Sequence, residues 1–138
     1  MCEVCVIMIR MEEILMTLKE CYDSFGGNFE TAKKQMIKEE IIDRFVLKFL
    51  DDRSYTKLID AVNEQNYEDA FKAAHTLKGV CLNLSFERIS NSVSILTELL
   101  RNKKNDEVDR FTCDNLMQSV TWDYNEIISS ICSYRDSK

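Results

Sequence analysis

Asn66-Tyr67-Glu68-Asp69-Ala70-Phe71-Lys72-Ala73-Ala74-His75-Thr76-Leu77-Lys78-Gly79-Val80-Cys81-Leu82-Asn83-Leu84 is the stretch on which the fold turns. Tyr67, Ala70, Ala74, Leu77, Cys81 and Leu84 recur at spacings of 3, 4, 3, 4 and 3, the signature of a helix with one buried stripe. Asn66 reads as its N-cap, and Glu68 and Asp69 suit the positive end of the helix dipole. At about 100° per residue, His75 falls roughly 130° from the centre of that stripe, on the solvent side. Glu68, Phe71, Lys72, Lys78, Gly79 and Leu82 share its face.

Three of those residues run against the rules of an ordinary exposed face. Gly79 in mid-helix costs about 1 kcal/mol relative to alanine, and Phe71 and Leu82 are apolar yet lean away from the core. Together with the chain's one histidine they read as a docking face, because a position without Cβ lets another surface approach the imidazole. An imidazole near neutral pH has a basic nitrogen able to attack phosphorus. Lys78, one turn on, can offset phosphoryl charge, and Lys72, a turn before, can assist.

Outward from this helix the same rhythm continues. Downstream, Phe86, Ile89, Val93, Leu96 and Leu100 form a second stripe. A polar break at Asn102 to Asn105 follows, then a last region carrying Val108, Phe111, Val120, Tyr124, Ile127, Ile131 and Tyr134. Upstream, helices are expected from about Met11 to Phe25, stopped by Gly26 and Gly27, from Phe29 to Lys38, and from Glu39 to Leu50. Ile42, Phe45, Phe49 and Leu50 share one side of the third. Ser54 is expected to cap a further helix that buries Leu58, Ile59 and Val62. No β-type alternation persists. The chain has no proline and three glycines, which suits helices. These features predict an all-α protein: an antiparallel four-helix bundle with additional short N-terminal helices, formed by residues 11–138 as one domain, with 1–10 as a loose N-terminal extension. Met11 or Met16 is an alternative start.

The 138 residues carry a formal charge of −6 and 45% hydrophobic residues, a globular composition with no basic stripe for nucleic acid or an acidic membrane surface. The apolar run from Cys5 to Ile9 is too short to span a bilayer and lacks the flanks of a signal peptide. Six cysteines are present, and they are expected to be reduced and mostly packed, in a cytoplasmic protein. Cys2 and Cys5 form a C-x-x-C pair, but no second pair stands at zinc-site spacing, so no metal is expected there.

The run Ala74-His75-Thr76-Leu77-Lys78-Gly79 resembles the His-x-x-Lys-Gly signature of histidine-containing phosphotransfer (HPt) domains. The resemblance extends through Leu84, Phe86 and Arg88, and upstream through Phe45 to Leu50 and Asn66 to Phe71, about Met16 to Leu100 in all. It implies a four-helix bundle without a catalytic ATP site or cofactor of its own. It implies phosphoryl exchange between His75 and aspartates on receiver domains of response regulators or hybrid kinases, with Mg²⁺ belonging to the receiver. By the same resemblance Lys78 stabilises the phosphoryl group and Gly79 admits the partner. Phe71, Lys72 and Leu82 flank the docking surface. Thr97, standing where glutamine is more usual, is the candidate for orienting His75. Ser85 replaces the glycine common at its turn and is expected to cap the next helix. The expectation is a monomeric phosphorelay intermediate. Two other readings compete: an HPt-like module that binds a receiver or kinase without being phosphorylated, and a thiol redox protein using Cys2 and Cys5. No nucleotide-binding loop supports an autonomous enzyme.

Overall fold

The structure is a computed structural model that describes residues 16–137. Cys2, Cys5 and the expected extension 1–10 lie outside the described residues, as does the first part of the helix expected from Met11. Among the described residues all regular structure is helical: α1 (Leu18–Ser24), α2 (Phe29–Met36), α3 (Glu39–Lys48), α4 (Ser54–Asn63), α5 (Tyr67–Asn83), α6 (Glu87–Leu100) and α7 (Arg110–Asp136), with single 3₁₀ turns at Phe49–Asp51 and Asn105–Glu107. Helix α4 packs on α5, α5 on α6, α6 on α7 and α7 on α4, which closes a four-helix bundle. The three-residue connections after α4 and α5 leave consecutive helices no geometry but antiparallel neighbours.

The stripes read from the sequence form the interior. Tyr67, Ala70, Ala74, Leu77, Cys81 and Leu84 of the α5 stripe are buried, as are Phe86, Ile89, Val93, Leu96 and Leu100 of α6. Helix α7 is one continuous 27-residue helix, roughly 40 Å long, and outreaches the 17-residue α5 at roughly 25 Å. Its surplus length is covered by α1. Ser24 donates to Ser130 at 2.7 Å, and the Met16 N–H donates to Ser137 Oγ at 3.3 Å.

An aromatic cluster joins the short N-terminal helices to the bundle. Phe86, just before α6, meets Phe25, Tyr22 and Phe49 edge-on at centroid distances of 4.8, 5.4 and 5.3 Å, the geometry in which ring quadrupoles attract. The buried Tyr22 hydroxyl donates to Leu84 O at 2.8 Å, so it keeps a partner at the end of α5.

Several local expectations need correction. Only Gly26 of the glycine pair adopts positive φ (+75°), and a Cβ there would meet Arg88 Cβ at 2.8 Å. Helix α2 stops at Met36, because Ile37 turns to φ 69°. Phe49 and Leu50 leave the α-helix for the 3₁₀ turn. Phe45 is 45% exposed and Phe111 74% exposed, though both fit an inward rhythm. Ser54 is the first residue of α4 rather than its cap, and its N–H donates to Asp52 Oδ1. Ser85 does not cap α6 either. Phe86 holds the cap position, and Ser85 makes the turn itself at φ 60°, where glycine would be unstrained. The Ser85 hydroxyl instead donates to Gln35 Oε1. The four cysteines within the described residues are free, with Cys21, Cys81 and Cys113 buried.

Candidate functional site

Helix α5 presents the site because both of its ends are anchored. Asn66 Oδ1 accepts from the Asp69 N–H at 3.2 Å, the cap expected of it, while Asn105 Oδ1 accepts from the Tyr67 N–H at 2.9 Å. At the far end the Phe86 N–H bonds to Cys81 O and the Ser85 N–H to Leu82 O, closing the helix through the positive-φ turn. These contacts fix where α5 starts and stops, and its alanine, leucine and cysteine stripe lies in the core with the opposite face in solvent.

On that opposite face His75 is exposed, Gly79 is exposed, and Leu82 is 51% exposed. A Cβ built on Gly79 meets nothing within 4 Å. The glycine is therefore not required by internal packing, and the helix gives up stability there for no fold-related return. The imidazole of His75 makes no hydrogen bond to the described residues. Among the described residues its one ring contact is with Phe71, stacked at 6.0 Å between centroids and 22° between planes.

The flanks of α5 divide the other expected residues. Phe71 and Lys78 lie toward α6. Lys78 is half-buried and its charge is felt by the Glu98 carboxylate, which is held below its usual range first by its hydrogen bonds to Arg101 and last by Lys78. Lys72 is on the other flank, exposed beside Ser54 and Lys57 of α4, in a shallow depression that also takes in Thr76. His75 thus stands between two lysines on opposite flanks rather than beside a cluster. Leu82 borders the approach of α2 and the start of α6, next to Thr31 and Ser90. A more apolar groove of about 620 Å³ opens between α2, α3 and the C-terminal half of α5, with Phe49 and Leu84 in its floor and Met36, Phe45 and Val80 in its walls.

Thr97 does not occupy the role expected of it. It is fully buried, and its hydroxyl donates to Val93 O at 2.7 Å within its own helix. No hydrogen bond joins it to His75. Two residues that sequence reasoning did not single out are next to the site instead. The Arg101 guanidinium lies 5.3 Å over the Phe71 ring, and the Glu98 carboxylate accepts from Arg101 Nε and Nη2 at 3.2 and 3.0 Å. Their i,i+3 spacing near the end of α6 was visible in the sequence. Their direction toward α5 was not, since it depends on how the two helices pack.

The described residues thus form a four-helix bundle with the histidine on an open helix face and a bare glycine one turn away. The particular family is set by comparison. The Hpt domain family matches residues 47–121, more than half the chain and the whole of α4, α5 and α6, and the chain belongs to that family. No curated protein and no solved structure matches. Membership makes the chain a phosphorelay module of two-component signalling, of the kind that interacts with receiver domains. No helix among the described residues is long and apolar enough to cross a membrane.

Proposed function

We propose that the chain accepts a phosphoryl group on His75 from an aspartyl phosphate of one receiver domain and donates it to the aspartate of another. The observation that carries this reading is the open face of α5: an exposed imidazole one turn from a glycine whose Cβ direction is empty. An imidazole nitrogen attacks phosphorus as the acyl phosphate P–O bond breaks, and the leaving electrons return to the receiver's carboxylate. The imidazolium so formed carries its proton on the other nitrogen and releases it to water. The reverse step regenerates the aspartyl phosphate. Such a reaction needs positioning more than bond-making groups from the protein, and an open face supplies access.

Lys78 has the role of compensating phosphoryl charge from the α6 flank, and Lys72 does so more weakly from the α4 flank. Gly79, Phe71 and Leu82 form the surface that a receiver covers. The chain itself has no kinase activity in this reading and acts as a cytoplasmic monomer between two partners.

The test is direct. The protein is incubated with phosphorylated receivers or with phosphoramidate, then assayed for acid-labile, base-stable phosphate. Wild type should label, and His75→Gln should fold with the same melting profile and take up none. Undiminished labelling of that variant removes His75 from the mechanism. A wild-type chain that binds receivers but never labels is a docking module without transfer.

A further inference from the structure

With Thr97 committed to its own helix, the question is what holds an exposed imidazole in one orientation. An exposed histidine samples several rotamers, and in-line transfer uses one of them. His75 makes no hydrogen bond to the described residues, so the restraint has to come from its ring contact. That contact is Phe71, one helical turn earlier on the same face.

Phe71 is itself held from the neighbouring helix. Arg101 is the residue at which α6 ends, and its extended backbone (φ −61°, ψ 125°) departs from the helix there. Its guanidinium lies over the Phe71 ring at 5.3 Å. A guanidinium on a flexible stem would wander, but Glu98 receives it with both carboxylate oxygens, in the fork geometry that fixes the plane of an arginine. The connection therefore runs Glu98 to Arg101 to Phe71 to His75, across two helices, and each step is a planar group laid against or paired with the next. Arg101 itself stands against a side chain of α5, so the pair sits beside the site and not at a remote helix end.

We infer that Glu98 and Arg101 are positioning residues for His75, acting through Phe71: the carboxylate-held guanidinium pins the phenyl ring, and the phenyl ring sets the plane of the imidazole. This inference rests on His75 being the reacting group, but its geometric half can be measured without any phosphate present. The ordinary alternative is an exposed ion pair that neatens the end of α6, which would contribute little to anything.

The experiment uses the full chain with its one histidine, whose ring protons are followed by NMR. A stacked phenyl ring displaces them from random-coil positions. Phe71→Leu should return them toward those positions, which establishes the contact. Arg101→Ala and Glu98→Gln should shift them in the same direction by a smaller amount, although neither residue touches the imidazole. Arg101→Lys, which keeps a cation but lacks the planar fork, should fall between wild type and Arg101→Ala. Circular dichroism should show all four variants folded. Phosphoramidate labelling of Arg101→Ala should slow by about two- to fivefold, the worth of one exposed cation–π contact expressed as a rate. If Arg101→Ala and Glu98→Gln leave the His75 ring protons unmoved while Phe71→Leu moves them, the pair is a helix-end ornament and the inference fails. If the ring protons respond as described but wild type never labels, the clamp stands and the phosphotransfer reading falls.

Discussion

His75 and Lys78 differ in what their removal should do. Lys78 is half-buried, and the Glu98 carboxylate near it already has Arg101 as its main partner. Lys78→Ala therefore leaves no buried charge stranded, and the melting temperature should hold. Phosphohistidine, by contrast, loses the cation on its α6 flank. Its lifetime, or the rate of transfer from a receiver, should fall by about tenfold, the scale of one charge-assisted contact. Time courses of phosphate loss from labelled wild type and Lys78→Ala decide it. Superimposable curves would make the lysine a bystander. Lys72, exposed on the α4 flank, should give a smaller effect in the same assay. The identity of these residues and the face they share were readable from a 19-residue stretch, because a helix fixes angular relations among its own residues.

At the scale of the element, α5 carries a glycine that its own stability does not need. Gly79→Leu removes the mid-helix penalty of about 1 kcal/mol and places the new side chain in open space. The melting temperature should rise by a few degrees, about 2–5 °C for a domain of this size. Receiver-dependent transfer should meanwhile fall on the order of a hundredfold, since a leucine one turn from the imidazole forces the partner off by an ångström or more. Phosphoramidate, being small, should label the variant with far less loss. A variant that unfolds would assign the glycine to packing, and one that transfers normally would move the docking face elsewhere. The ends of elements were less legible. Ser54 and Ser85 have the composition of caps, yet Ser54 begins α4 and Ser85 turns at φ 60° before α6. Serine serves caps and turns alike, and only the path of the chain beyond it distinguishes the two.

For the whole molecule, burial of thiols and phenols makes stability depend on alkaline pH. Burial pushes the Cys21 thiol up to about 12 and the Cys113 thiol to about 11 from an ordinary 9.0, and it raises Cys81, Tyr22 and Tyr134 as well. The folded chain thus keeps protons that the unfolded chain releases. Stability is whole below about pH 9 and falls as the pH rises from there toward 11 and 12. Thermal melts in reductant at pH 8, 9, 10 and 11 should show a progressive decline, and Cys113→Ala should flatten its middle part. A melting temperature constant across that range would mean the thiols are not sealed in the core. Of these cysteines only Cys81 stood in an apolar helical stripe of the sequence; the burial of Cys21 and Cys113 is a matter of packing between helices.

What the sequence by itself determined was everything carried by local periodicity: an all-α chain, the buried stripes of α5 and α6, the cap at Asn66, and a histidine facing away from its helix's core. A period of 3.6 residues links side-chain direction to position within one helix, and nothing outside the helix enters. The tertiary structure alone decided what lies against that helix. It buried Thr97 and turned its hydroxyl onto Val93, swung Arg101 over Phe71, and left Phe45 and Phe111 facing solvent although both fit an apolar rhythm. These outcomes depend on the rotation of each helix about its axis relative to its neighbours. That rotation is settled by how side-chain ridges from separate parts of the chain interlock, and it leaves no periodic trace in any one segment.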